Sequence, residues 1–178
     1  MKIDAIAVIF AAAACLVLPA AVVPRLSLEQ LAQESPRIVY GRVLDSHTSS
    51  SGQFIWTHYR VEVLESWKGN PAPEIVVSEP GGTWNGVTME ISGAVQFRPG
   101  EELVLFLYKT PIGYWRTTGF WQGKFNVKEA SGEKRVRSNL RQAALVELGK
   151  TPKQVRLESY DGFGLNEFKT LVRELAKR

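Results

Sequence analysis

Cysteine is almost absent: Cys15 is the only one in 178 residues, and it lies inside the apolar N-terminal stretch MKIDAIAVIFAAAACLVLPAAVVP. Past that stretch no thiol remains, which excludes disulfides, cysteine nucleophiles and cysteine-based zinc sites together. Histidine is nearly as scarce. With only His47 and His58, Ser-His-Asp chemistry has two candidate bases. No Gly-x-Ser-x-Gly or His-Glu-x-x-His pattern occurs, and no metal or cofactor motif is found. Paired carboxylates are the other enzymatic route, and Glu101-Glu102 is the obvious pair. Adjacent strand residues point to opposite faces, so these two cannot straddle one substrate and read as turn and strand-start residues. The sequence points away from an enzyme; a hydrolase would need carboxylates gathered from distant positions.

The N-terminal stretch has one Lys, an apolar region and then small residues, which is a signal-peptide pattern with cleavage after Ala20 or Ala21. Asp4 is awkward there and keeps an uncleaved anchor from Ile3 to Val23 open. Ala12-Ala13-Ala14-Cys15 also invites comparison with bacterial lipoprotein signals, although the apolar run continues past the Cys. Each alternative exports the remainder, so the expected location is periplasmic or extracellular. A cysteine-free exported domain suits a bacterial envelope.

Charge is unevenly placed. Val22 to Val127 carries 9 Lys+Arg against 10 Asp+Glu, whereas Lys128 to Arg178 carries 12 against 7, net +5. The tail charges are interspersed, as on a solvated face, and export argues against nucleic acid as a ligand. The expected division is residues 1–21 as signal or anchor, 22–128 as a β-domain, and 129–178 as a basic extension.

What the sequence has in quantity is β-pattern. Arg98-Pro99-Gly100-Glu101 suits a tight turn, with Pro pre-setting φ and Gly tolerating its positive values. The following Leu103 to Tyr108 is apolar without alternation, which predicts a strand covered on both faces; a buried helix segment is the competitor. Arg37 to Leu44 and Phe54 to Trp67 read as a hairpin around a flexible loop at Thr48 to Gly52, with Gly41 marking a bulge. In the second strand Trp56 and His58 fall on the wetter face. Centred near Ser50 and Ser51, that hairpin would set His58 opposite residue 43, roughly 13 Å along the strand from His47. The two histidines then read as separate, solvent-facing residues.

Further strands are expected at Glu74 to Ser78, Val87 to Ile91, Tyr114 to Trp121, Lys124 to Lys128 and Arg135 to Arg137, with Glu79 to Gly86 irregular. Ser27 with Gln30 has capping-box spacing and starts a short helix that Pro36 ends. Ser138 to Leu148 has weak helical spacing. Leu165 to Leu175 is amphipathic, with Phe168, Leu171, Val172 and Leu175 on one face, a packing stripe too narrow for a membrane surface.

Taken in order, Val39-Tyr40-Gly41-Arg42-Val43, Trp56-Thr57, Val63 to Gly69, Gly81-Gly82, Phe97 to Leu107 and Gln122 to Phe125 resemble a group of uncharacterised exported bacterial proteins. Those in turn look like OB-fold barrels of the netrin and metalloproteinase-inhibitor type. The resemblance spans residues 37 to 128 and rests on turns and core strands, so it implies a fold more than a function. It implies a small, closed or partly open β-barrel with a short N-terminal helix and a C-terminal amphipathic helix, a β-sandwich being the alternative. Metalloproteinase inhibitors engage the catalytic metal through an amino-terminal cysteine; the mature chain has none, so no inhibitory residue carries over.

Function therefore falls to surfaces. Trp56, Trp67, Trp84, Trp115 and Trp121 are many tryptophans for this length. OB-type barrels bind over a sheet face and its loops, where aromatic rings supply area and polar neighbours set orientation. Trp67 and Trp121 read as core, leaving Trp56, His58, Trp84, Asn85 and Trp115 as candidate binding residues, with no catalytic or metal-ligating residue and no cofactor. The expected function is a non-catalytic exported module that recognises a protein or polysaccharide partner. A protease inhibitor or protease-associated domain is the alternative, and a hydrolase the second.

Overall fold

Each residue from Leu103 to Leu107 is fully buried, because the two faces of this strand meet different cores. In the computed structural model, which describes residues 25–138 and 160–177, helix α1 (Leu28–Glu34) leads into two long strands, β1 (Arg37–Ser51) and β2 (Phe54–Lys68). Next come β3 (Glu74–Pro80), β4 (Gly82–Trp84), β5 (Val87–Met89) and β6 (Glu102–Lys109). The chain continues through β7 (Trp115–Thr117), a 3-10 turn at Phe120–Gly123, β8 (Lys124–Ala130), β9 (Glu133–Ser138) and helix α2 (Leu165–Leu175). The segment expected to be a signal or anchor, with Cys15, and most of the helix expected from Ser138 to Leu148 lie outside the described residues.

The fold is mainly β, with the expected short helix near the N-terminus and a second helix near the C-terminus. Strands run in the order β1-β2-β3-β7-β6-β8-β9, and a further β1–β6 pairing bends the first five back on themselves. The link between β3 and β7 is one parallel residue pair, Val77 with Trp115. The sheet is thus partly ring-like and not a fully closed barrel. β6 pairs with β1 along one edge, while β8 and then β7 share the other. Leu103, Leu105 and Leu107 point into the ring with Val39, Val61 and Val77. Val104 and Phe106 point outward, where α1 and α2 cover them with Leu31, Phe168 and Val172. Two cores on one strand explain the missing alternation.

Local rules account for the ends of elements. Ser27 Oγ accepts the Gln30 N–H at 3.1 Å and Gln30 Oε1 accepts the Ser27 N–H at 2.8 Å, the capping box that the spacing predicts. Gly41 sits at a register shift between β1 and β2, and a Cβ there would lie 2.4 Å from the Glu62 carbonyl oxygen. Only glycine lets the strands approach so closely. α2 docks on β2 through the Trp67–Phe168 ring contact and a Lys169–Glu65 ion pair.

Three strand expectations need correction. Thr48 to Ser51 is not a loop: β1 runs through Ser51, and the reversal falls at Gly52-Gln53. The irregular stretch after Pro80 is a ribbon, β4 against β5, closed by Asn85 (φ 48) and Gly86 (φ 78), the paired positive-φ residues of a tight hairpin. Tyr114 to Trp121 is only partly a strand, because Gly119 (φ 65) and Phe120 (φ 58) turn left-handed and tip the chain into the 3-10 turn.

Candidate functional site

Moving the reversal to Gly52-Gln53 changes which residues meet. His47 and His58 are direct cross-strand partners, their ring centroids 5.0 Å apart; the expected separation of roughly 13 Å is wrong because β1 and β2 both continue to the turn. His58 is not solvent-facing either. It is 8% exposed, as is Trp56, because the loop between β6 and β7 covers that face. The loop is fastened by Thr110 N–H to Tyr114 O at 2.7 Å and by Tyr114 N–H to Thr110 Oγ1 at 2.9 Å. It lays the Tyr114 ring edge-on to Trp56 at 5.1 Å and to His58 at 5.4 Å. Phe54 extends the row, 6.3 Å from Trp56. The outcome is a continuous row of Phe54, Trp56, Tyr114, His58 and His47, exposed at both ends, with Trp56 and His58 buried and Tyr114 half-buried between them.

Both ring nitrogens of His58 meet serine hydroxyls, Nε2 with Ser49 Oγ at 2.7 Å and Nδ1 with Ser78 Oγ at 2.8 Å. Burial, and then the nearby His47, hold its pKa below the ordinary histidine value. Ser49, His58 and Ser78 have the order of nucleophile, base and orienting group. The third position is a hydroxyl, however, which cannot stabilise an imidazolium as a carboxylate does. Among the described residues no three His, Cys, Asp or Glu side chains gather as a metal site.

Behind the row lies a group that the sequence reading missed. Glu79 is 1% exposed; it accepts the Thr117 N–H at 2.7 Å and faces Arg116 Nη2 at 3.4 Å. Burial raises its pKa, outweighing the lowering from the Thr117 N–H and Arg116. The Arg116 guanidinium lies 5.8 Å from the centroids of both the Trp56 and Phe120 rings, a cation between two π faces. Beside it opens a cavity of about 340 Å³ lined by Leu26, Tyr108, Arg116, Thr117 and Phe120 among others. One sequence signal was available for Glu79: it continues the inward alternation of Ile75 and Val77.

The remaining candidates are dispersed. Trp84 is 37% exposed on the ribbon with Asn85 at its turn. The ribbon is held to the β1–β2 hairpin by Thr48 Oγ1 donating to Thr83 O and Thr57 Oγ1 donating to Gly81 O. Trp115 is half-buried, with Arg37 at 5.5 Å and Lys109 at 6.0 Å from its ring. Among the described residues no ring contact joins Trp84 or Trp115 to Trp56. A second cavity, about 640 Å³, lies between residues 94–102 and β8. There Lys124 Nζ bonds Gln96 O and Glu101 Oε2, each at 2.9 Å.

A scan against protein-family models, a search of curated proteins and a search of solved structures each found no match.

Proposed function

We propose that this chain is an exported, non-catalytic binding module whose partner is a protein. The supporting observation is where its large apolar side chains remain exposed. Among the described residues, four of the six exposed large apolar side chains, Phe54 (50%), Trp84 (37%), Val87 (63%) and Ile112 (63%), stand at or beside turns, while Leu64 and Val76 stand within strands. Ring contacts tie the Phe54 and Tyr114 turns to Trp56, and hydrogen bonds tie the ribbon to the same hairpin. Rigid strands thus present apolar tips that water disfavours, the kind of anchor that protein interfaces bury. Export rests on the N-terminal sequence, and the absence of thiols from the rest of the chain agrees with it.

The test compares two double variants in pull-downs from envelope extract. Phe54→Ser with Trp84→Ser removes tip residues; Leu64→Ser with Val76→Ser removes exposed apolar residues outside the turns. A protein retained by wild type and by the second variant but lost from the first supports the reading. Retention by the tip variant, or recovery of polysaccharide alone, overturns it.

A further inference from the structure

The cavity beside Arg116 is separate from the exposed tips and has a chemistry of its own. Its volume, about 340 Å³, is within the range of small-ligand sites. Leu26, Tyr108 and Phe120 give it an apolar wall, and Arg116 gives it one cation. That cation is held in place by the Trp56 and Phe120 rings and is incompletely paired. Its only hydrogen bond among the described residues is the 3.4 Å contact to Glu79, and its buried Nε has no partner. Glu79 takes the Thr117 N–H on Oε1 at 2.7 Å and meets Arg116 through Oε2, at a longer 3.4 Å. The Arg116 Nε is buried and does not face the cavity, so the Nη end of the guanidinium, with Glu79 Oε2 as its one acceptor among the described residues, is the part suited to an oxyanion.

Phe120 supplies a second, independent observation. It holds φ at 58, a left-handed conformation that is costly for a bulky side chain. Backbone strain of this kind persists where the surroundings over-determine it, and it clusters at ligand sites. Here it places the Phe120 ring against Arg116 and along the cavity. A nearby cation and a ring forced toward it together define an amphipathic pocket. Glu34 stands exposed at its margin and repels a second negative charge.

We infer that this cavity binds a monoanion whose carboxylate sits next to an apolar group, the carboxylate on Arg116 and the apolar group against Phe120 and Leu26. Such chemistry occurs in a free aryl or alkyl acid and at the C-terminus of a protein that ends in an apolar residue.

Calorimetric titration of the full chain tests this with five probes. These are 4-phenylbutyrate, its neutral amide, the dianion phenylsuccinate, and a tetrapeptide ending in phenylalanine with a free or an amidated C-terminus. The expected result is that 4-phenylbutyrate or the free-ended peptide binds, at least about tenfold more tightly than its neutral counterpart and than the dianion. Binding of the peptide alone assigns the source to a chain terminus; binding of the free acid alone assigns it to a small molecule. Arg116→Gln lowers the affinity about tenfold, while Leu26→Ser lowers it less and leaves the preference for the charged form intact. Should Arg116→Gln fail to fold, the charged and neutral pairs on wild type and on Leu26→Ser decide. No binding of either carboxylate at millimolar concentration, equal binding of the amides, or an unchanged affinity in folded Arg116→Gln overturns the inference. None of these outcomes bears on the turn-tip reading, whose variants leave this cavity intact.

Discussion

Glu79 accepts the Thr117 backbone N–H at 2.7 Å, just past the single pair, Val77 with Trp115, by which β3 and β7 meet. A side chain therefore continues the pairing that the backbone abandons. Glu79→Ala leaves the buried Thr117 N–H without its acceptor and Arg116 without its counter-charge. The expected loss is about 2–4 kcal/mol by urea unfolding. Glu79→Gln keeps an acceptor and loses less than half of that; equal losses in the two variants would show that the hydrogen bond is not what matters.

The same carboxylate gives stability a pH slope. Because burial raises its folded pKa above 4.5, the folded state holds the proton more tightly than the unfolded chain. Its contribution is fully present below pH 4.5 and lost as pH rises through the folded value. Glu79→Gln should flatten this part of the profile. An unchanged slope between pH 4.5 and 8 in the variant contradicts the assignment.

Glu102 slopes the other way. Burial tends to raise its pKa, but hydrogen bonds from Lys134, Tyr40 and Arg42 outweigh that and hold it at about 2. Its contribution is present above 4.5 and lost as pH falls toward 2. Arg42 and Lys134 are both partly solvated, 44% and 43% exposed, so we expect about 2 kcal/mol rather than the full shift. Glu102→Gln should remove the acid-side loss while leaving the Glu79 slope in place, as read by urea midpoints from pH 2 to 6.

How far these features are legible in the sequence depends on how local their causes are. The capping box at Ser27 and Gln30, the amphipathic stripe of α2 and the two-sided burial of β6 are written in neighbouring residues and appear as expected. The β1–β2 register is less legible, because Ser49-Ser50-Ser51 resembles a loop in composition while pairing as strand. Moving the turn by one residue moves every cross-strand partner by two. The ribbon was signalled by Asn85-Gly86, a tight-hairpin dipeptide overshadowed by the glycines before it. Glu79, Arg116 and Phe120 come together only through ring closure and a left-handed turn, which no local pattern announces.

The ribbon should be separable from the rest of the fold. At Gly86, φ is 78 and an added Cβ would meet nothing within 4 Å, so Gly86→Ala carries only a conformational cost, about 1 kcal/mol. β4 and β5 pair only with each other. We expect faster amide exchange from Gly82 to Met89 and weaker partner capture, with the global unfolding midpoint unchanged. A matching fall in global stability would mean that the ribbon folds as part of the main sheet.

The two histidines provide the most direct check on the β1–β2 register. Burial and the adjacent His47 both lower the pKa of His58, so the unfolded chain binds the proton more readily. The contribution of His58 is present above pH 6.5 and lost as pH falls below it through the lower folded value. With only two histidines in the chain, each can be followed by its ring resonances in NMR. His58 should titrate below 6.5, and His47→Ala should move it upward by removing a like charge 5.0 Å away. In a hairpin reversed near Ser50 and Ser51 the rings would lie too far apart for that response. A His58 titration indifferent to His47→Ala would therefore count against the register, and with it against the row of rings from Phe54 to His47.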